Sequence, residues 1–201
     1  MSRDPARALT QFFGGRICLD FANTVDWRTS LSPQELIPDY VGLIAWSRAR
    51  HTLPGPTLQK LAALAVTEAG EAAATLREAH ALRGAIWQAA EALRAGVPVQ
   101  LAALNRMLLE APAQPRLIED GERYVHDLPG TSLAEPLRPV LWSLTALLAS
   151  DDASRVGCCQ AHGCGWFFVD ESPNHTRLWC SSEVCGNRER ARRAYAKRRA
   201  R

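Results

Sequence analysis

The stretch CQAHGC at residues 159–164 is followed, after fifteen intervening residues, by CSSEVC at residues 180–185. Each stretch begins and ends with a cysteine, and two such pairs at this separation can bring four thiolates around one Zn²⁺. Four thiolates fill every position of a tetrahedral zinc ion, so the expected role is structural rather than catalytic. We therefore predict one structural Zn²⁺ held by Cys159, Cys164, Cys180 and Cys185.

The other two cysteines and two nearby histidines leave alternatives open. Cys158 adjoins Cys159 and could compete for the metal, although the matching spacing of the second pair favours Cys159. His162 and His175 could each replace a cysteine ligand, which we consider the weaker interpretation. Cys18 stands alone between apolar neighbours and is predicted to be a core residue.

Residues 186–201, which we name the basic tail, carry eight Lys or Arg and one Glu. The remaining 185 residues carry sixteen basic and twenty acidic side chains. This asymmetry indicates a nucleic-acid binder or a tail that docks on an acidic partner, and a solvated charged helix is the plain alternative. The candidate nucleic-acid contacts are Arg188, Arg190, Arg192, Arg193, Lys197, Arg198 and Arg199, with Arg201 on the same flank as Arg190, Arg193 and Lys197.

In a helical tail, Ala191, Ala194 and Tyr195 fall at positions i, i+3 and i+4. We expect this narrow apolar seam to pack against the rest of the protein. Arg188 has a second interpretation, since a cation there would offset the negative charge of a zinc–thiolate centre.

Apolar residues recur at helical spacing in five segments that precede the cysteines. The first helix is predicted to begin at Ser32-Pro33, with the proline in its first turn, and the third covers about 71–95 and stops at Gly96. Between the fourth and the fifth, residues 117–125 form a predicted hairpin with Asp120-Gly121 as its turn. The stripes are Leu36, Ile37, Tyr40, Val41 and Ile44; Leu58, Leu61, Ala62 and Ala65; Leu76, Ala79, Ile86, Ala90 and Leu93; Leu101, Leu104 and Leu108; and Leu133, Leu137, Val140, Leu141, Leu144 and Leu148.

The predicted fold is mainly α. A helical N-terminal domain with a short β-hairpin covers 1–152, and a small treble-clef-like Cys₄ zinc module with a basic C-terminal helix covers 153–201. Within the module, 165–170 reads as a short strand that leaves the first cysteine pair, and Ser181 as the cap of a helix. Because metal binding supplies the folding energy of such small modules, we expect this one to unfold largely without zinc.

A polar cluster lies near the N-terminus, formed by Asp20, Asn23, Thr24, Asp26 and Arg28 amid apolar neighbours. On a helix, the first three share a face. Buried polar groups need partners, so the cluster is predicted to be a structural network that caps a helix. The alternative is a polar lining for a small effector or a subunit contact, with Trp27, Trp46 and Trp87 as its apolar wall.

The run Cys185-Gly186-Asn187-Arg188 resembles the CGNR zinc-finger family. The segments WCS at 179–181 and ARRAY at 191–195 flank it, and GWFFVD at 165–170 takes the place of that family's first knuckle. The opening GGRICLDFANTVDW at 14–27 looks like that of the ABATE domain, which commonly precedes this finger. The resemblance implies a stress-linked transcription regulator with zinc on the four cysteines.

These observations lead to a hypothesis of a cytoplasmic, DNA-binding transcription regulator, with DNA preferred to RNA as the partner. The alternative is a zinc-containing RNA-associated or protein-interaction module without sequence-specific DNA binding. We expect no membrane association, since no apolar run approaches a membrane span and the N-terminus lacks the apolar core of a signal peptide. No nucleophile–base pair or phosphate loop is apparent, so no enzymatic activity is expected. A homodimer and a small effector bound by the helical domain are further expectations.

Overall fold

The computed structural model describes residues 8–109, 116–121 and 123–199. Their fold is mainly α, as predicted, with three two-stranded antiparallel sheets and short 3₁₀-helices at Glu135–Leu137 and Asp151–Arg155. The α-helices from residue 17 onward are α1 Ile17–Ala22, α2 Tyr40–Arg50, α3 Gly55–Thr67, α4 Ala69–Ala95, α5 Ala102–Leu109, α6 Arg138–Leu148 and α7 Asn187–Arg199. The strands are β1 Val25–Asp26, β2 Gln34–Glu35, β3 Arg116–Asp120, β4 Arg123–Asp127, β5 Val156–Cys158 and β6 Phe167–Val169, which pair in that order as hairpins.

Helix α1 lies at the centre of the molecule, in contact with α4, α6 and β6. Cys18 and Phe21 are both 0% exposed, so Cys18 is a core residue as predicted. The ring of Phe21 meets the edge of Trp46 at 5.0 Å between centroids, and the Trp87 indole donates to the carbonyl of Ala22 at 2.8 Å. A six-residue helix cannot be stable alone, so tertiary packing on all sides holds it.

Helix α2 begins at Tyr40, so the predicted start at Ser32-Pro33 was wrong. Ile37 precedes a proline, and the proline ring disfavours helical backbone at that position. Asp39 supplies the actual cap, accepting a hydrogen bond from the Gly42 N–H at 2.7 Å. Leu36 and Ile37 are nevertheless buried, because the extended chain before the helix directs them into the same core.

The other predicted helices are present, with small shifts at their ends. Helix α4 ends at Gly96, whose φ of 66° is the left-handed conformation that glycine adopts most readily. The predicted hairpin is formed by β3 and β4, but Asp120 pairs with Arg123 within the sheet. The positive φ of the turn is therefore at Gly121, and placing Asp120 in the turn was wrong.

The sheet β5–β6 belongs to the core of the helical part. Val156, Phe167 and Val169 join the same buried apolar cluster as the side chains of α1, α2 and α4. A second, smaller cluster surrounds the four cysteines and contains Trp166 and Phe168. Successive residues of β6 thus point alternately into the two cores. No helix within the described ranges is long and apolar enough to cross a membrane.

Candidate metal centre and basic helix

The four predicted ligands converge on one buried point. Among the described residues they form the group of side chains that could hold a metal ion, with ligand atoms all within 4.8 Å of one another. The sulfur atoms of Cys164 and Cys180 are 3.8 Å apart, those of Cys180 and Cys185 3.4 Å, and those of Cys185 and Cys164 3.7 Å. Bonds of about 2.3 Å to a tetrahedral zinc ion place sulfurs about 3.8 Å apart. The geometry fits one structural zinc with Cys159 as the fourth ligand.

Two turns present these cysteines. In the first, between β5 and β6, the Cys159 N–H donates to the Trp166 carbonyl at 2.8 Å and the Cys164 N–H to the Ala161 carbonyl at 2.9 Å. In the second, the Ser181 hydroxyl accepts from the Val184 N–H at 3.2 Å, which confirms Ser181 as the cap. A single wide turn, Ser182–Gly186, then leads directly into α7.

Hydrogen bonds among the sulfurs shift the pKa values of the cysteines in opposite directions. A hydrogen bond from Cys164 lowers the pKa of Cys159, whereas the hydrogen bond to Cys159 raises the pKa of Cys180. A divalent cation favours the thiolate of every ligand, so zinc supplies the charge that four adjacent thiolates require.

The remaining thiol near the centre is turned away from it. Cys158 is half-buried and its sulfur lies 3.8 Å from a guanidinium nitrogen of Arg28. Burial raises the pKa of Cys158 against the lowering effect of neighbouring arginines. Neither Cys158 nor the exposed residues His162 and His175 belong to the ligand group.

Arg177 connects the centre to the N-terminal segment, a role that the sequence did not suggest. Its guanidinium donates to the carbonyl of Cys180 at 2.6 Å and to that of Phe13 at 3.0 Å, and it stacks over Phe168 at 4.2 Å. Asp170 fixes the preceding loop by accepting from the Arg177 N–H at 2.9 Å. The role of Arg177 is indicated by the backbone carbonyls that surround its guanidinium, and these come together only in the folded chain.

Asn23 of the polar cluster joins the helical domain to the finger. Its side-chain amide donates to the Phe167 carbonyl at 2.8 Å, and its oxygen accepts from the Phe167 N–H at 2.8 Å. Asn23 therefore pairs with the edge of β6 as a neighbouring strand would. Next to it, the Trp166 indole donates to the carbonyl of Val25 at 2.9 Å.

Asp20, Thr24 and Asp26 have partners inside the helical part. Asp20 accepts from the Gly14 N–H and from the Arg50 guanidinium, each at 2.8 Å, and burial raises its pKa against these two contacts. Thr24 donates to the Phe21 carbonyl at 2.7 Å and accepts from Arg83 at 2.9 Å. Asp26 accepts from the N–H of the next residue at 3.0 Å. These contacts are those of an internal network.

Arg28 lies across the boundary between the helices and the finger. Its Nε donates to the Gly165 carbonyl at 2.8 Å, and its guanidinium stacks over Phe167 at 4.4 Å. Gly165 has a φ of +66°, and a Cβ at this position would overlap the methyl group of Thr29. The close approach of the helical domain therefore explains why a glycine follows the second ligand.

Of the three tryptophans in the predicted apolar wall, only Trp46 is fully buried, as a core residue. Trp27 has a φ of 54°, and its half-buried ring carries the Arg188 guanidinium at 4.1 Å from the centroid. A cation over an indole face is a favourable contact. The ring thereby joins the helical domain to the first turn of α7.

Glu189 attaches α7 to the first cysteine turn. It is 3% exposed, accepts from the His162 N–H at 3.0 Å and from Arg192 at 2.9 Å. Burial alone would raise its pKa, but these donors outweigh that effect and the pKa of Glu189 is lowered. The only acid of the basic tail is thus a structural residue, which a count of charges does not reveal.

The basic side chains of α7 fall into two groups. In the first group, Arg188 binds the His162 carbonyl and the Trp27 ring. Arg190 binds the Asn187 side chain and the Ser182 carbonyl, and Arg192 binds Glu189. The second group, which we name the free cations, is exposed and forms no hydrogen bond or ion pair with the described part of the chain. Its members are Arg193, Lys197, Arg198 and Arg199, the last lying 5.9 Å from the Tyr195 ring; Arg201 lies outside the described residues.

The predicted apolar seam of the tail is not packed. Ala191, Ala194 and Tyr195 are exposed, Tyr195 by 59%. Every residue from 191 to 199 is exposed, because after its first turn α7 is no longer covered by the cysteine turns or the helical domain. Expecting this seam to face the protein was wrong.

Two family models match the chain. Residues 15–151 match ABATE, described as "Putative stress-induced transcription regulator", and residues 155–198 match the CGNR zinc finger. No curated protein matches the chain in a search of such sequences.

Proposed function

Because the chain belongs to the ABATE family and carries a CGNR zinc finger, we propose that it is a transcription regulator that binds duplex DNA through helix α7. The observation that carries the proposal is the exposure of α7 from residue 191 to 199, with the four free cations on this part of the helix. Cations without an internal partner can bind phosphates without breaking a protein contact, and phosphate contacts supply most of the affinity of such proteins.

The dimensions of α7 favour DNA over RNA. Its 13 residues span about 20 Å at 1.5 Å per residue. The major groove of B-form DNA admits an α-helix, whereas that of A-form RNA is too deep and narrow for side chains to read. Single-stranded RNA stays as the alternative, since the exposed ring of Tyr195 could stack on a base.

The metal has a supporting role in this proposal. Four cysteines leave no coordination position for water or substrate, so the zinc holds the two turns from which α7 starts. The polar cluster is engaged in internal contacts, and we propose no catalytic role for it. A homodimer and a small effector stay predictions, which sedimentation and ligand screening of the full chain would test.

The proposal is tested by selection from a random duplex pool with the zinc-loaded full chain. The test variant replaces Arg193, Lys197, Arg198 and Arg199 with alanine, which preserves helix propensity. The matched control replaces one lysine and three arginines that are exposed on α2 to α5, namely Arg48, Lys60, Arg77 and Arg106. Both variants lose the same charge.

Enrichment of a defined sequence by the wild type and the control, but not by the test variant, is the expected result. Retention without enrichment would reduce the function to general polyanion binding. Failure of the wild type to retain any duplex would overturn the proposal, and retention of RNA or an acidic protein instead would support the alternative.

A further inference from the structure

The loop 27–33 of the helical domain lies beside the first turn of α7. Its first residue, Trp27, carries the Arg188 guanidinium on its ring at 4.1 Å. The first cysteine turn also lies against this ring, since a Cβ added to Gly163 would lie 2.9 Å from the Trp27 ring and 3.3 Å from Ser30. The loop, the cysteine turn and the start of α7 therefore form one continuous surface.

The loop is held firmly in this place. The Thr29 N–H donates to the Gly163 carbonyl at 3.3 Å, and the Ser30 N–H closes a turn on the Trp27 carbonyl at 2.8 Å. The Ser30 hydroxyl accepts from the Ser32 N–H at 3.1 Å. A loop fixed by its backbone presents its side chains in a defined position, so little ordering is needed when a partner binds.

The exposed part of this loop suits a polyanion with apolar components. Thr29, Ser32 and Pro33 are exposed, and the Leu31 side chain is entirely in solvent at 105% relative exposure. Residues 27–33 contain no acidic side chain, so nothing on the loop repels phosphate. Other leucines and valines of the chain are also exposed, among them Leu178 of the finger. Leu31 combines the highest exposure among them with a place on the loop whose Trp27 contacts Arg188 of α7.

We propose that the loop 27–33 is a second element of the DNA-binding surface. The Thr29 and Ser32 hydroxyls donate to phosphate oxygens, as such hydroxyls commonly do, and Leu31 packs against sugars and base edges in the groove beside the one that α7 enters. This inference rests on the proposed function. It assigns to the helical domain a direct contact with DNA, in addition to its support of the finger.

The test compares Leu31→Glu with Val66→Glu in the zinc-loaded full chain. Val66 is 81% exposed on α3, a helix that packs on α2 and α4 rather than on the finger. Both variants add one negative charge at an exposed apolar position. Zinc content and melting temperature should equal those of the wild type in both, which separates binding from folding.

We expect Leu31→Glu to weaken duplex affinity about tenfold or more, and Val66→Glu to change it less than about twofold, since screening attenuates distant surface charges. Leu31→Ala should weaken affinity by a constant factor at every salt concentration, because leucine neutralises no phosphate. Wild-type affinity of Leu31→Glu, with binding still lost when the free cations are replaced, would overturn this inference and leave the proposed function intact. Absence of duplex binding by the wild type would overturn both.

Discussion

Strand β6 and helix α7 both start at the zinc centre, yet their surroundings are opposite. All three residues of β6 are 0% exposed, and Asn23 of the helical domain pairs with the strand's backbone at 2.8 Å. Helix α7 is exposed on every residue from 191 to 199. One half of the finger is therefore part of the helical core, and the other half is available to a partner.

This difference shows that the finger is not a separate module joined to the helical domain only by a linker. A small zinc module is usually stabilised by its metal alone, but here the core that contains Phe167 and Val169 also contains the side chains of α1 and α4. The loss of zinc should therefore destabilise the helices of the helical domain. Substitutions at residues 191–199 of α7 should instead alter DNA binding without altering the fold.

Replacing a zinc ligand should have the largest effect. Cys164→Ser removes a ligand of an ion whose binding contributes on the order of 10 kcal/mol to folding, so the chain should lose its zinc and the helical signal should melt at a lower temperature. Zinc content and thermal circular dichroism measure both effects.

Cys158→Ser is the matched control for that change. Its sulfur lies outside the ligand group and near Arg28, so the variant should keep one zinc per chain. Unchanged melting of the helices in zinc-free Cys164→Ser would contradict the shared core.

Asn23→Ala tests the buried side of the finger from the helical domain. It leaves the N–H and carbonyl of Phe167 without their partners, and unsatisfied buried groups of this kind cost about 1–3 kcal/mol each. We expect the free energy of unfolding to fall by roughly 3 kcal/mol, measured by denaturant titration. Asn105→Ala, at an exposed position of α5, should change it by less than about 0.5 kcal/mol; equal effects of the two substitutions would argue against the anchoring role of Asn23.

The two groups of cations on α7 should differ in their effect on salt dependence. The affinity of a protein–DNA complex falls as salt rises, and each phosphate contact contributes about 0.9 to the slope of log affinity against log salt. The double variant Arg193→Ala/Arg198→Ala should therefore make this slope less steep by about 1.8. Arg190→Ala/Arg192→Ala removes the same charge from side chains that are bound to protein groups, and we expect less than half that change. Equal slopes for the two double variants would show that the internal contacts do not decide which cations bind DNA.

The smallest effect is expected at the attachment of α7. Glu189→Gln removes the charge that binds the His162 N–H and Arg192, and should cost about 1 kcal/mol of stability. Glu183→Gln, at an exposed position in the turn before α7, is the matched control and should leave stability unchanged. An identical melting temperature for both variants would place the attachment of the helix elsewhere.

The sequence allowed a correct prediction of the features that depend on spacing along the chain. The four ligands, the cap at Ser181 and the end of α4 at Gly96 each follow from a local pattern, and the structure confirms them. The start of α2 was predicted wrongly at Ser32-Pro33, because the proline after Ile37 disfavours helical backbone there and Asp39 caps the helix instead.

The features that were missed depend on contacts between distant segments. The polar pattern of Asn23 and Arg28 was consistent with either a network or a ligand site, and only their proximity to β6 and Gly165 distinguishes the two. In the sequence, Glu189 is one acid among many basic residues, and its role follows only from its hydrogen bond to the first cysteine turn. The seam of Ala191, Ala194 and Tyr195 failed as a prediction because helical spacing shows that residues share a face, but not that another surface covers it.

The division of the finger into an anchored half and an available half is tested most directly by amide hydrogen exchange of the zinc-loaded full chain, with and without saturating duplex DNA. Residues 167–169 should be strongly protected in both states. Residues 191–199 should exchange rapidly in the free chain and become protected when DNA binds. Unchanged exchange of 191–199 in the saturated complex, or rapid exchange of 167–169 in the free chain, would contradict the account.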